Sequence, residues 1–226
     1  MTESLDSKKF MISCSPHVRD SRTVAEVMRA VILALLPAAV CGIFFYRLQA
    51  LFLILTCIIS CVITEAVFLK LRRKKLTLSD SSAVLTGLLL ALTLPPGLPL
   101  WVAVIGSVTA IALGKQIFGG LGCNIFNPAL IGRAFLMASF PVMLTKWINP
   151  FCLDALTSAT PLGLMKFEHT YTPMIQLLLG NVSGSLGETS AVALIIGGLF
   201  LILGRYMDWR IPLAYIGTVG IFSTVL

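Results

Sequence analysis

Of the 226 residues, 57% are hydrophobic and 12% charged, and the mean hydropathy is +0.95; a water-soluble domain carries charge at about 25% of its positions, so a soluble globular fold is excluded. The net charge of +7 comes from 17 Lys and Arg against 10 Asp and Glu, set in short clusters beside apolar runs. That placement suits phospholipid head groups and argues against nucleic acid as a partner.

At roughly 20 residues per membrane crossing, the chain has room for about six to eight passes. Residues 1–23 are polar, contain Lys8, Lys9, Arg19 and Arg22, and lack the apolar centre of a cleavable signal peptide, so the first apolar run serves as the membrane signal. Uncharged runs then mark spans at 30–46 and 48–64. The next run, 81–114, is too long for one pass and carries Pro95, Pro96, Gly97 and Pro99 at its middle. Proline removes a backbone donor and restricts the residue before it, so a helical hairpin is predicted, 80–94 followed by 99–114. Gly119, Gly120, Gly122, Cys123 and Asn124 form a broken stretch before Asn127-Pro128, which places proline in the first turn of one helix reaching Thr145.

Residues 172–187 are uncharged but contain Gly180, Asn181, Gly184 and Gly187, a composition that predicts a broken or re-entrant element. Irregular backbone at membrane depth must be buried in protein or line a cavity, because an unpaired amide in hydrocarbon costs several kcal/mol. Two further spans follow, at 189–204 and from 211 onward.

The Lys and Arg between spans set the orientation. With the N-terminus cytoplasmic, thirteen lie inside and three, Arg47, Lys146 and Lys166, outside, while Arg133 falls within a span. The opposite orientation inverts that ratio. Ser82-Ala83-Val84 and Ser190-Ala191-Val192 open two runs that enter from opposite sides and are followed by Pro99-Leu100 and Pro212-Leu213. They mark a candidate inverted repeat, the arrangement of many transport folds; chance likeness among common membrane residues is the alternative. The expected fold is all-α: a polytopic transmembrane helical bundle with broken or re-entrant helices. Its divisions are a cytoplasmic segment 1–23, a first membrane unit of about five spans 24–145, an extracytoplasmic segment 146–187 with the re-entrant element, and the start of a second membrane unit 188–226.

Six cysteines show no CxxC pairing, and Cys57 and Cys61, on one helical face, are read as small packing residues; no metal is assigned. Glu26 with Arg29, and Glu65 five residues before a basic cluster, are expected to snorkel to the interface or pair locally. Lys115 and Arg133 are less readily explained. Glu188 begins a helix, where a carboxylate favours the dipole. The most informative run is Asp154-Ala155-Leu156-Thr157-Ser158-Ala159-Thr160-Pro161-Leu162. Thr160-Pro161 is an N-cap and first-turn pair for a short helix through Phe167, and nothing intrinsic to the run makes Thr160 reactive.

That run resembles the flavinylation motif Asp-x-x-Ser/Thr-x-Ala-Thr of RnfD, a membrane component of the Rnf ion-translocating electron transport complex, and of its relative NqrB in the sodium-translocating NADH:quinone reductase. Ser15-Pro16-His17-Val18-Arg19, Asn127-Pro128-Ala129 with Gly132-Arg133-Ala134, and Gly180-Asn181 through Gly184, Gly187-Glu188 and Ser190-Ala191 resemble other signatures of RnfD, in the expected order. The Thr-Pro-Leu ending favours RnfD over the quinone-reductase homologue. The resemblance implies FMN esterified through its phosphate to Thr160 by a separate flavin transferase acting outside the cytoplasm. Asp154, Thr157 and Ser158 are then motif positions read by the transferase or close to the flavin, and Ala159 leaves room for the ester. Gly184, Gly187 and Glu188 are expected near the ring or phosphate, with Lys166 as a further neighbour. It also implies a multi-pass protein of the cell inner membrane, an electron-transfer subunit of an ion-translocating ferredoxin:NAD+ oxidoreductase that is catalytically incomplete without the other Rnf subunits. Family members continue through further spans, so the chain reads as a fragment or a shortened form. With no nucleotide fingerprint and no cysteine cluster, NAD and iron–sulfur sites are expected on partner subunits. The competing readings are an inverted-repeat channel or secondary transporter without a redox cofactor, and a scaffold in which Thr160 is only a cap.

Overall fold

The computed structural model describes residues 22–73, 78–150 and 160–225, and every regular element in them is helical. The expected helical bundle is found. Helix α1 (Val24–Leu71) opens on a capping box: the Glu26 amide donates to Thr23 Oγ1 at 3.3 Å and the Thr23 amide to a Glu26 carboxylate oxygen at 3.1 Å. Glu26 therefore caps its own helix, and Arg29 turns back onto the Ala25 carbonyl. The path breaks at one residue, Arg47, with φ 52° and ψ −131°. The two predicted spans are thus joined without a loop, and each half, about 35 Å long at about 1.5 Å per residue, can cross a hydrocarbon core of about 30 Å.

After a 3-10 turn at Leu78–Asp80 come α2 (Ser82–Thr93), the proline segment 94–99, α3 (Leu100–Ile111) and a π-helical turn, Ala112–Gln116. The predicted hairpin is present, and its tip is partly covered by the rest of the protein, with Gly97 and Pro99 left exposed. Leu94, Pro95, Pro96 and Leu98 are buried, the Leu186 amide donates to the Leu94 carbonyl at 3.2 Å, and Gly97 lies under the Ile148 side chain. Two of the tip's amides are satisfied locally, Leu94 to Ala91 and Leu98 to Pro95, which lowers the cost of the break.

Helix α4 (Pro128–Ser139) begins as predicted, with Asn127 Oδ1 accepting from the Ala129 amide at 3.0 Å and proline in the first turn. It does not run on to Thr145. Phe140 leaves the helical region at φ −133° and ψ 53°, and the short α5 (Pro141–Leu144) follows. Pro141 has no N–H to donate and crowds the preceding turn, which ends α4. Then come α6 (Pro161–Glu168), α7 (Met174–Leu179), a largely irregular stretch with a 3-10 turn at Leu186–Glu188, α8 (Ala191–Leu203) and α9 (Arg210–Val225).

The two candidate repeats share more than their serines. Each helix follows a 3-10 turn ending on an acidic residue two positions before the serine, Asp80 before Ser82 and Glu188 before Ser190. At the far end of α8, the Arg22 guanidinium donates to the Gly204 and Arg205 carbonyls and stacks on Tyr206 at 4.6 Å, so Arg22 and Arg205 share one end of the bundle.

Close helix contacts use small residues, as membrane bundles do. A Cβ on Gly87 would meet Ile58 Cα at 2.7 Å, one on Gly132 the Gly106 carbonyl at 2.7 Å, and one on Gly197 would overlap the Ala34 carbonyl. The neighbouring Gly198 faces open space. Gly197→Ala is therefore expected to cost about 1–3 kcal/mol through overpacking, while Gly198→Ala leaves the thermal unfolding midpoint in detergent unchanged or slightly raised.

Candidate functional site

Thr160 is where the sequence places it chemically. Its backbone is extended, φ −67° and ψ 155°, its Oγ1 accepts from the Gly163 amide at 3.2 Å, and Pro161 fills the first position of α6. Local rules suffice for this: a threonine acceptor beside a proline that needs no acceptor starts a helix. The structure thus confirms the cap; Thr160 is half-buried, and its neighbour Pro161, though not Thr160 itself, lines a cleft of about 300 Å³. Pro161, Leu164, Tyr171, Gln176, Asn181 and Ser183 are among its walls. Such a volume sits at the lower end of the ~300–1,000 Å³ of small-molecule sites. Ser183 Oγ donates to Asn149 Oδ1 at 2.6 Å, tying the segment after α7 to the one after α5.

The predicted irregular element is real. Between α7 and α8 the chain is buried at Ser183, Gly184, Ser185, Leu186, Thr189 and Ser190. Gly180 takes φ 100° and closes α7, and a Cβ there would run into the Thr189 carbonyl, so only glycine fits. Gly187 presses on α2, where a Cβ would lie 3.0 Å from the Leu92 carbonyl; Gly184 sits against the Glu188 side chain. The Glu188 carboxylate accepts from the Ser185 amide at 3.1 Å and so closes its own turn. Of this segment, Asn181, Val182 and Ser183 line the cleft, whereas Gly184, Gly187 and Glu188 are not among the lining residues. Lys166 lies in the last turn of α6, its ammonium 5.6 Å from the Phe167 ring. Asp154, Thr157, Ser158 and Ala159 lie outside the described residues, as does Ser15 through Arg19.

One expectation is overturned. Glu65 neither snorkels nor pairs with the basic cluster after it: it is 1% exposed and bonds Lys115, 2% exposed, at 2.5 Å across 50 residues of sequence. The π-turn turns Lys115 inward, and α2 supplies a second partner, Ser82 Oγ, also at 2.5 Å. No local pattern announces this pair. The available signal is that both charges lie near span ends. Asn149, Gln176 and Tyr171 were likewise missed as cleft residues, being ordinary polar residues in loops and a short helix.

With this geometry in place, comparison with known proteins gives a family. A profile of the NQR2, RnfD, RnfE family matches residues 11–226. The chain belongs to that family. It is 48% identical over 227 residues to the D-type subunit of the proton-translocating ferredoxin:NAD(+) oxidoreductase complex of Clostridium ljungdahlii, covering 95% of this chain and 68% of that protein. It is 47% identical over 226 residues to the D-type subunit of the Na(+)-translocating ferredoxin:NAD(+) oxidoreductase complex of Acetobacterium woodii, covering 98% and 71%. The corresponding subunit of the ion-translocating oxidoreductase complex of Rhodobacter capsulatus is 39% identical over 243 residues, covering 93% and 68%. NQR2, RnfD, RnfE membership and the apolar helices together make this a membrane protein.

Proposed function

We propose that this chain is an electron-transfer subunit of the RnfD type in an inner-membrane, ion-translocating ferredoxin:NAD+ oxidoreductase complex, with FMN joined through its phosphate to Thr160 Oγ1. The observation that carries the reading is the placement of Thr160: its hydroxyl caps α6, whose first residue, Pro161, lines a polar-walled cleft. The residues fit the group. The cap uses Oγ1 as an acceptor, so the hydroxyl hydrogen lost on esterification is not needed for it. A phosphate there lies at the positive end of the α6 dipole, a setting worth about 0.3–1 kcal/mol per anion, while the Gly163 and Leu164 amides are already taken by Thr160 itself. Gln176, Asn181 and Ser183 offer amide and hydroxyl partners for the carbonyls and N–H of a flavin ring, and Tyr171 and Val182 offer apolar contact.

When bound, FMN supplies the electron chemistry; the chain positions it and shields one side of it. A covalent tether holds the cofactor at high effective concentration without requiring tight equilibrium binding. On the orientation set by the Lys and Arg distribution, Thr160 is extracytoplasmic, the side on which a flavin transferase would act. Ferredoxin and NAD chemistry belong to partner subunits.

Expression of the chain with and without a flavin transferase tests this. A band near 24.4 kDa that fluoresces under ultraviolet light after SDS denaturation is expected only with the transferase, together with a mass gain of one FMN less one water. No fluorescence and no mass gain would overturn the reading. The turn-and-helix unit found twice would then favour a secondary transporter built on an inverted repeat.

A further inference from the structure

Neither Glu65 nor Lys115 lines the cleft. Lys115 Nζ donates to Glu65 Oε1 and to Ser82 Oγ, both at 2.5 Å, and Ser82 Oγ donates to Asp80 Oδ1 at 2.7 Å. Asp80 is half-exposed, Ser82 and Lys115 are buried, and Glu65 Oε2 is enclosed with no hydrogen-bond partner among the described residues. The series runs from the rim of the bundle to a buried carboxylate with one oxygen to spare.

We propose that Asp80, Ser82, Lys115 and Glu65 form a proton relay, with Glu65 as the buried site that takes up and releases the proton. An ionisable group at membrane depth is expensive and generally has a task, and a buried ion pair contributes little net stability against an apolar replacement. Lys115 is carried by a π-turn, a helix irregularity frequent at functional sites. In the transfer, Lys115 first gives the N–H aimed at Glu65 Oε1, forming the Glu65 O–H. The amine so left accepts the Ser82 proton once that hydroxyl turns from Asp80 onto Nζ, and Asp80, protonated from solvent, gives its O–H proton to Ser82, so that three bonds break and three form. Asp80 ends as carboxylate, Glu65 as carboxylic acid, and Lys115 remains an ammonium held between Ser82 and Glu65. Solvent at the rim recharges Asp80. Among the described residues, the titratable groups facing Glu65 are Lys115 from the π-turn, Cys61 from its own helix and, through Ser82, Asp80 from the turn before α2. A metal cation at Oε2 would sit one carboxylate away from an ammonium and find a single unpartnered oxygen, which is no coordination shell.

The test uses the full chain in its membrane complex and infrared difference spectra across pH steps in H2O and D2O. A carboxylic-acid carbonyl band is expected to appear as pH falls, to shift in D2O, and to vanish in the double variant Glu65→Gln, Lys115→Gln, which retains hydrogen bonding and removes both charges together. Ser82→Ala and Asp80→Asn are expected to slow the rise of that band after a pH jump at least tenfold, which a purely structural pair would not do. The proposal is overturned by a spectrum that the double variant leaves unchanged, or by a band that follows Na+ at constant pH. Should the double variant not assemble, an unchanged rise in both Ser82→Ala and Asp80→Asn overturns it alone.

Discussion

Lys115→Met is expected to destabilise the chain by about 3–5 kcal/mol, because it leaves a buried carboxylate without its counter-charge. Glu65 and Lys115 are each almost fully buried, and Glu65 Oε2 has no partner among the described residues to compensate the loss. Against the ~5–15 kcal/mol that separates folded from unfolded domains, this is a large effect for a single substitution. The double variant Glu65→Gln, Lys115→Met removes both charges and should recover most of the loss, giving a coupling energy well above the few tenths of a kcal/mol seen between independent sites. Thermal unfolding of the four proteins in one detergent measures the cycle. A single variant within about 1 kcal/mol of the parent would show that the carboxylate finds water or another partner, contrary to the packing of α1, α2 and the π-turn.

Thr160→Ala is expected to abolish covalent flavin completely while the protein still accumulates in the membrane. The two effects separate because they differ in size. Loss of an N-cap costs about 1 kcal/mol, and α6 is a short helix with no fully buried residue, so little of the bundle depends on it. Loss of the hydroxyl removes the only atom of Thr160 that can form the ester. Thr160→Ser preserves cap and hydroxyl, and should retain folding with any fall in flavin content reporting how strictly the transferase reads the side chain. In-gel fluorescence scaled to protein by immunoblot is the measurement; a fluorescent Thr160→Ala band would move the attachment elsewhere.

The elements that could be read in advance are those governed within a turn or two. Thr160-Pro161 and Asn127-Pro128 start helices in the structure because a side-chain acceptor and a proline act on their immediate neighbours. The hairpin of α2 and α3 follows from three prolines in six residues. The end of α4 at Phe140 was legible too, since Pro141 is visible in the sequence, but an uncharged run to Thr145 masked it. Gly180 is a case in between: its helix-ending role follows from composition, whereas the Thr189 carbonyl that excludes any side chain is a contact made by the fold.

Apolar run length and the Thr-Pro and Pro-Pro positions were enough for a helical membrane bundle, its proline hairpin and the cap at Thr160, because solvent exclusion and backbone satisfaction act on each segment separately. Only the assembled bundle decided that the proline tip is partly covered by Ile148 and Leu186, that the cleft beside Thr160 is walled by Gln176, Asn181 and Ser183, and that Glu65 meets Lys115. Those outcomes depend on which helix faces lie against each other, and that is settled by close packing at Gly87, Gly132 and Gly197 among residues far apart in the chain.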